Sequence, residues 1–74
     1  MSYLVQSVVL HKSHFTKPEA KHWILKHGYK MTEPDETANE YRFRQMSPEI
    51  IKTGLYRVKT IHLGKMGLLV VLYK

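Results

Sequence analysis

Two pairs of basic residues stand at strand-like spacing in the second half of the chain. Arg42 and Arg44 form one pair, and Arg57 and Lys59 form the other. Side chains two residues apart on a strand project from the same sheet face, about 6.6 Å from each other. That distance is close to the separation of successive phosphates along a nucleic-acid strand, and guanidinium groups bind phosphate in a bidentate manner. If the two strands are neighbours, the four cations form one phosphate-binding patch. The other interpretation is a solvated sheet face whose charges prevent edge pairing.

A second group of lysines lies before and within the first turns of a predicted helix. Lys17 and Lys21 are four residues apart and share one side of that helix, where they repel each other unless an anion neutralises them. Lys12 extends the basic run towards the helix N-terminus, which itself favours anions. We expect these three lysines to make secondary contacts with nucleic acid.

The charge of the chain is uneven along its length. The 74 residues include 12 Lys and Arg against six Asp and Glu, a net charge of +6. Four of the six acids (Glu33, Asp35, Glu36 and Glu40) fall in residues 33–40, which contain no Lys or Arg. We interpret this segment as a solvated acidic loop. Clustered basic residues in the remainder are typical of a polyanion-binding domain.

The sequence offers little for catalysis or metal binding. It has no cysteine, no glycine-rich phosphate loop and no nucleophile elbow. His22 and His27 are about 140° apart on a helix and cannot bind one ion from the same face. His27 falls on the apolar stripe and is expected in the core. We predict no cofactor, no metal and no enzymatic activity; a small Mg²⁺-dependent nuclease that uses the acidic segment remains as an alternative.

The helix is the best-specified element. Thr16 as N-cap and Glu19 have capping-box spacing, Pro18 falls in the first turn, and Gly28 supplies the stop. The predicted buried stripe is Ala20, Trp23, Ile24 and His27.

The remaining pattern indicates strands. Residues 3–11 are predicted as a strand with Leu4, Val8 and Leu10 on one face and Val5 and Val9 on the other. The other predicted pieces are a short extended segment at 28–31, a strand at 40–45, a helical turn at 48–53 and a hairpin of strands 55–63 and 68–73. Residues 1–74 are therefore a single α+β domain, with one helix on a mostly antiparallel four- to five-stranded sheet in the order β-α-β-β-(turn)-β-β.

The C-terminal strand predicts self-association. Residues 68–73 are apolar on both faces, whereas one helix can cover only one face of a sheet. A homodimer would bury the second face; alternatively, the loop at Phe15 or the turn at 48–53 covers it in a monomer. The lack of cysteine, of a signal sequence and of an apolar run long enough to span a bilayer predicts an intracellular protein without membrane contact.

Aromatic residues decide the expected form of nucleic acid. Tyr29, Tyr41, Phe43 and Tyr56 could stack on unpaired bases. Because Tyr41 and Phe43 alternate with the arginines and face the other way, binding to a duplex backbone is favoured over base stacking. The basic pattern itself is not specific to DNA or RNA; we expect double-stranded DNA (dsDNA) rather than RNA as the partner.

The chain also resembles a small viral domain, found in tailed-phage structural or head-maturation proteins and as stand-alone virion proteins of large DNA viruses of amoebae. The residues that carry the resemblance are Ser7-Val8-Val9, Phe15-Thr16, Ala20, Trp23-Ile24, His27-Gly28-Tyr29-Lys30, Asp35-Glu36-Thr37, Tyr41-Arg42-Phe43-Arg44-Gln45, Pro48 and Tyr56-Arg57. The resemblance implies a viral origin, a location in the host cell and the virion, and packaging with the genome; it implies no catalytic residue. The expected function is nucleic-acid binding with little sequence preference. The alternative is a structural virion module whose basic face docks on an acidic partner protein.

Overall fold

Five strands and one α-helix make up the fold. The computed structural model describes residues 3–47, 49 and 53–73. The elements are β1 (Leu4–His11), α1 (Lys17–Lys26), β2 (Asp35–Glu36), β3 (Glu40–Arg44), β4 (Arg57–His62), a 3-10 turn (Gly64–Met66) and β5 (Gly67–Tyr73). This confirms the predicted α+β class. No helix within the described ranges is long and apolar enough to cross a membrane.

The strands form one sheet whose order differs from their order in the chain. They are arranged β2-β3-β1-β5-β4, and every neighbouring pair is antiparallel. The first strand is therefore central, while β2 and β4 are the two edges. The edges are unequal, because β2 has two residues and β4 has six.

A β-bulge in β1 changes which side chains face the helix. Val5 pairs with Val71, and Ser7 rather than Gln6 pairs with the next residue of β5. The extra residue shifts the alternation, so Val5 packs against the core while Leu4 is 38% exposed. The prediction that placed Leu4 on the same face as the later core residues, and Val5 opposite, is wrong because strict alternation cannot anticipate a bulge.

The ends of α1 follow the local sequence signals. The Glu19 backbone N–H donates to Thr16 Oγ1 over 3.4 Å, and the Thr16 N–H donates to Glu19 Oε1 over 2.9 Å. At the other end Gly28 adopts a φ of +77°, and the Tyr29 N–H donates to the Ile24 carbonyl over 3.0 Å. The predicted capping box and glycine stop are both confirmed.

One face of the sheet, here called the helix face, forms the core with α1. Its buried members are Val8, Leu10, Ala20, Ile24, Tyr41 and Phe43. Trp23 is half-buried against this cluster, but His27 is exposed and stacks on the Trp23 ring with 3.9 Å between centroids. The expectation of a core histidine is wrong because His27 is the C-cap residue, where the helix ends.

The predicted short strand at 28–31 is not part of the sheet. Instead the Gln45 side chain acts as its partner: the Lys30 N–H donates to Gln45 Oε1 over 2.7 Å, and Gln45 Nε2 donates to the Lys30 carbonyl over 2.9 Å. The strand after the helix is β2, inside the segment predicted as a loop. The predicted hairpin of the last two strands forms as β4 and β5, and the predicted turn at 48–53 lies largely outside the described residues.

The second sheet face, here called the far face, is not bare. Val9 is 1% exposed and Leu72 is fully buried within the single chain, while Leu68 and Val70 are half-buried. Phe15 packs against the core cluster of the helix face, so its loop is not the cover. The homodimer stays a prediction, but it loses the argument that an uncovered apolar face requires a partner.

Candidate functional site

The four strand cations do not form one patch. β3, with Arg42 and Arg44, and β4, with Arg57 and Lys59, are separated by β1 and β5. The condition for a joint patch was that the two strands are neighbours, and the strand order excludes it.

The two pairs also lie on opposite faces. Arg42 and Arg44 alternate with Tyr41 and Phe43, which are buried under the helix. Their side chains therefore belong to the far face, where both are exposed. The predicted alternation of β3 is confirmed, but it directs these arginines away from the second pair.

The β4 cations belong to the helix face. Lys59 pairs with Val71, which in turn pairs with the core residue Val5, and directly paired residues share a face. Arg57 pairs with Tyr73 one step along the same face. Both basic side chains are exposed, because they stand on the outermost strand.

Two carboxylates of the acidic segment form ion pairs with the three lysines predicted as secondary contacts. Glu36 lies 3.1 Å from Lys17 Nζ and 3.4 Å from Lys12 Nζ. Glu33 lies 3.4 Å from Lys17 Nζ and 3.9 Å from Lys21 Nζ. The interpretation of residues 33–40 as a solvated acidic loop is wrong where Asp35–Glu36 form β2, although the carboxylates are solvent-exposed as expected. β2 pairs with β3, and Glu33 and Glu36 lie beside lysines of α1.

The pKa values reflect the same contacts. The hydrogen bond from Lys17 lowers the pKa of the Glu36 carboxyl, and that bond raises the pKa of the Lys17 ammonium. Each group is thus held in its charged form by the other. Lys12, Lys17 and Lys21 share the two carboxylates of Glu33 and Glu36, so they attract a phosphate less than cations without an acidic neighbour do.

The other two acids of the segment are also paired. Asp35 lies 3.1 Å from Arg44 Nε, and Glu40 lies 3.5 Å from His11 Nε2. Of the two far-face arginines, only Arg42 is without an acidic partner among the described residues. Acidic groups are thus concentrated at the β2 edge, where Lys or Arg side chains lie beside three of the four and a histidine lies beside Glu40.

At the other edge, the β4 cations stand beside two tyrosines that sequence reasoning did not select. Tyr3 precedes β1 and Tyr73 ends β5; their rings lie 5.8 Å apart in an edge-to-face arrangement. Lys59 Nζ is 5.9 Å from the centroid of the Tyr3 ring. We call Tyr3, Arg57, Lys59 and Tyr73 the β4 patch. The alternation of side chains along each strand could have assigned these four residues to faces. The order of the strands in the sheet was needed to show that the three strand ends lie together.

A metal centre has no support in the part of the chain that the structure describes. There, no three His, Cys, Asp or Glu side chains are grouped so as to hold an ion. His14, His22 and His27 line a groove of about 620 Å³ along α1, together with Phe15, Trp23 and Lys26.

Comparisons with known proteins identify no relative. The chain matches no protein-family model, and no curated protein or solved structure shows significant similarity to it. The resemblance to viral domains therefore stays a prediction, and the function has to be argued from the geometry of the chain.

Proposed function

We propose that the protein binds nucleic acid through phosphate contacts made by Arg57 and Lys59 of the β4 patch. The observation that supports this proposal is that both side chains are exposed on one face of an edge strand and have no acidic partner within 4.0 Å among the described residues. A strand spaces them about 6.6 Å apart, which suits two successive phosphates.

The charge distribution adds support. All four acids of residues 33–40 are engaged at or near the β2 edge, so excess positive charge remains elsewhere on the surface. The described basic residues without an ion pair are Lys26, Lys30, Arg42, Arg57, Lys59 and Lys65. Excess positive charge of this kind attracts a polyanion, and Arg57 and Lys59 are the two of these cations that share one face of an edge strand. Phosphate contacts carry no base information, so little sequence preference is expected.

A salt titration tests the proposal. Binding of labelled random-sequence oligonucleotides is measured by fluorescence anisotropy between about 50 and 200 mM salt. Two phosphate contacts give a slope of log K against log salt of about −1.8 on a duplex, or about −1.4 on a single strand. The double variant Arg57→Ala/Lys59→Ala should lose most of that slope and most of the affinity.

The matched control removes the same charge elsewhere. Lys30→Ala/Arg42→Ala has the same net charge as the test variant, and both of its residues are exposed and unpaired. It should retain the wild-type slope. Equal losses in the two double variants would show that only net charge matters, and the β4 patch would not be the site.

A second function is favoured by the open backbone of β4. An edge strand of six residues can accept a further strand, and alternate basic side chains suit an acidic extended segment of a partner protein. This second function is the alternative in which the basic face docks on an acidic partner protein. If the protein binds no oligonucleotide at low salt but binds an acidic strand-forming peptide, docking replaces nucleic-acid binding as the function.

A further inference from the structure

The β4 patch combines aromatic rings with cations in one cross-strand row. Arg57 pairs with Tyr73, and Leu4 pairs with Leu72, so Tyr3 continues the row on the neighbouring strand. Across the sheet, the Arg57 guanidinium is followed by the Tyr73 ring and then by the Tyr3 ring. Lys59 stands in the adjacent row and reaches the Tyr3 ring.

The rings are accessible as well as close. Tyr3 is 46% exposed, which is high for a large aromatic side chain, and Tyr73 is half-buried. Their edge-to-face contact, with an interplanar angle of 66°, turns the two ring planes in different directions. Both rings are therefore partly exposed beside the β4 cations.

Lys59 places a cation beside the candidate stacking ring. Its ammonium lies over one face of the Tyr3 ring, 5.9 Å from the centroid, which leaves the other face for a base and sets a positive charge close to the phosphates of a nucleotide bound there. Arg57 lies two residues along the same strand, at the spacing of the next phosphate. Stacking and charge neutralisation then act on consecutive nucleotides.

We infer that the ligand of the β4 patch is single-stranded nucleic acid, with a base stacked on Tyr3. This inference rests on the proposed function and narrows its ligand. In a duplex the base faces are stacked on one another, so Tyr3 would gain nothing there, whereas every unpaired base offers a face to a ring. The expectation of dsDNA rested on Tyr41 and Phe43 facing away from the arginines of β3. Those two aromatic residues are buried in the core, but Tyr3 and Tyr73 share the face of the β4 cations.

The test compares a labelled oligothymidylate, an oligouridylate and a duplex of equal length. The wild-type protein should bind both single strands more tightly than the duplex. Tyr3→Leu should raise the Kd for single strands at least about fivefold, since loss of one base–ring stacking contact weakens binding by about that factor or more. Duplex binding should change by less than about twofold.

Two further variants serve as controls for the loss of the Tyr3 ring. Tyr3→Phe retains the ring and should retain single-strand affinity. Leu4→Ala alters a neighbouring, 38% exposed side chain on the far face and should change nothing. A thermal melt of each variant shows that it is folded.

The outcomes separate this inference from the proposed function. If Tyr3→Leu leaves single-strand binding unchanged while Arg57→Ala/Lys59→Ala abolishes binding, phosphate binding stands and base stacking is overturned. Tighter binding to the duplex than to either single strand overturns the inference as well. If no oligonucleotide binds at all, the proposed function fails and the inference falls with it.

Discussion

Substitution of Gly67 tests the central pairing of the sheet. Gly67 begins β5, pairs with Leu10 of β1 and has φ +151° and ψ −143°. A Cβ built on it would collide with the Val9 carbonyl oxygen and would lie 2.9 Å from the Val9 carbonyl carbon and 3.0 Å from Leu10 Cα. All of these atoms are backbone, so no side-chain rotation relieves the clash.

The cost of Gly67→Ala has two parts. The backbone conformation is nearly exclusive to glycine, which costs an alanine about 1–3 kcal/mol. In addition, β1 and β5 have to separate, and this weakens the ladder between the two central strands. A domain of this size has about 3–5 kcal/mol in total. Gly67→Ala should therefore leave the protein largely unfolded at 25 °C.

Gly28→Ala is the matched control. Gly28 also has a positive φ, +77°, but nothing lies within 4 Å of its built Cβ. It should cost only about 1–2 kcal/mol, from the left-handed backbone alone. Far-UV circular dichroism during heating measures both variants, with each kcal/mol corresponding to about 4–8 °C in Tm. If Gly67→Ala melts within about 5 °C of Gly28→Ala, the close approach of β1 to β5 is refuted.

Three further predictions concern the helix cap and the acidic segment. Thr16→Ala should cost about 1 kcal/mol and lower Tm by about 4–8 °C, whereas Thr16→Ser should melt like the wild type. Hydrogen bonds from Thr16 lower the pKa of Glu19, and the hydrogen bond from Lys17 lowers the pKa of Glu36, below the ordinary value of 4.5. Their contribution to stability is complete above pH 4.5 and is lost as the pH falls through the lowered pKa values, so the urea midpoint should decrease over that acidic range. High salt should reduce the part of this contribution that comes from the ion pairs of Glu36. Glu36→Gln should leave Lys12 without a carboxylate neighbour and Lys17 with Glu33 alone, and should raise the affinity for oligonucleotides at low salt. An unchanged Kd would show that Glu36 does not restrain these two lysines.

Local signals predicted the elements that depend on a few adjacent residues. Thr16, Glu19 and Gly28 act within one turn of helix, and the structure forms each contact that their spacing indicates. The alternation of Tyr41 and Phe43 with the arginines likewise determines which side chains are buried, because a strand has a period of two. Such features need no knowledge of the remainder of the chain.

Features that depend on strand pairing could not be predicted. Alternation assigns Arg57 and Lys59 to one face of their strand but does not name the neighbouring strand. The bulge at Gln6 reverses the faces of the residues before it, and it arises from pairing with β5. The side-chain bonds of Gln45 to residue 30 replace a strand that composition alone favoured.

The distribution of charge along the sequence could not show which cations have acidic neighbours, because that also depends on strand pairing. In the sequence, the acids of residues 33–40 are separate from the lysines of the helix. The fold brings the two groups together, because β2 pairs at the edge that α1 overhangs. The sequence total of +6 therefore overstates the charge available near Lys17 and Lys21, but not the charge at β4.

The cationic edge also limits how two copies of the chain could associate. An exposed six-residue edge strand is a template for edge-to-edge pairing, and basic side chains are a common means of preventing it. In a two-fold antiparallel pairing of β4 with itself, Arg57 and Lys59 of both copies would crowd on one face and repel each other. A polyanion removes that repulsion by neutralising the same side chains. The charges that protect β4 from self-association are thus the charges that favour an anionic ligand, and a homodimer of the free protein would have to form through another surface.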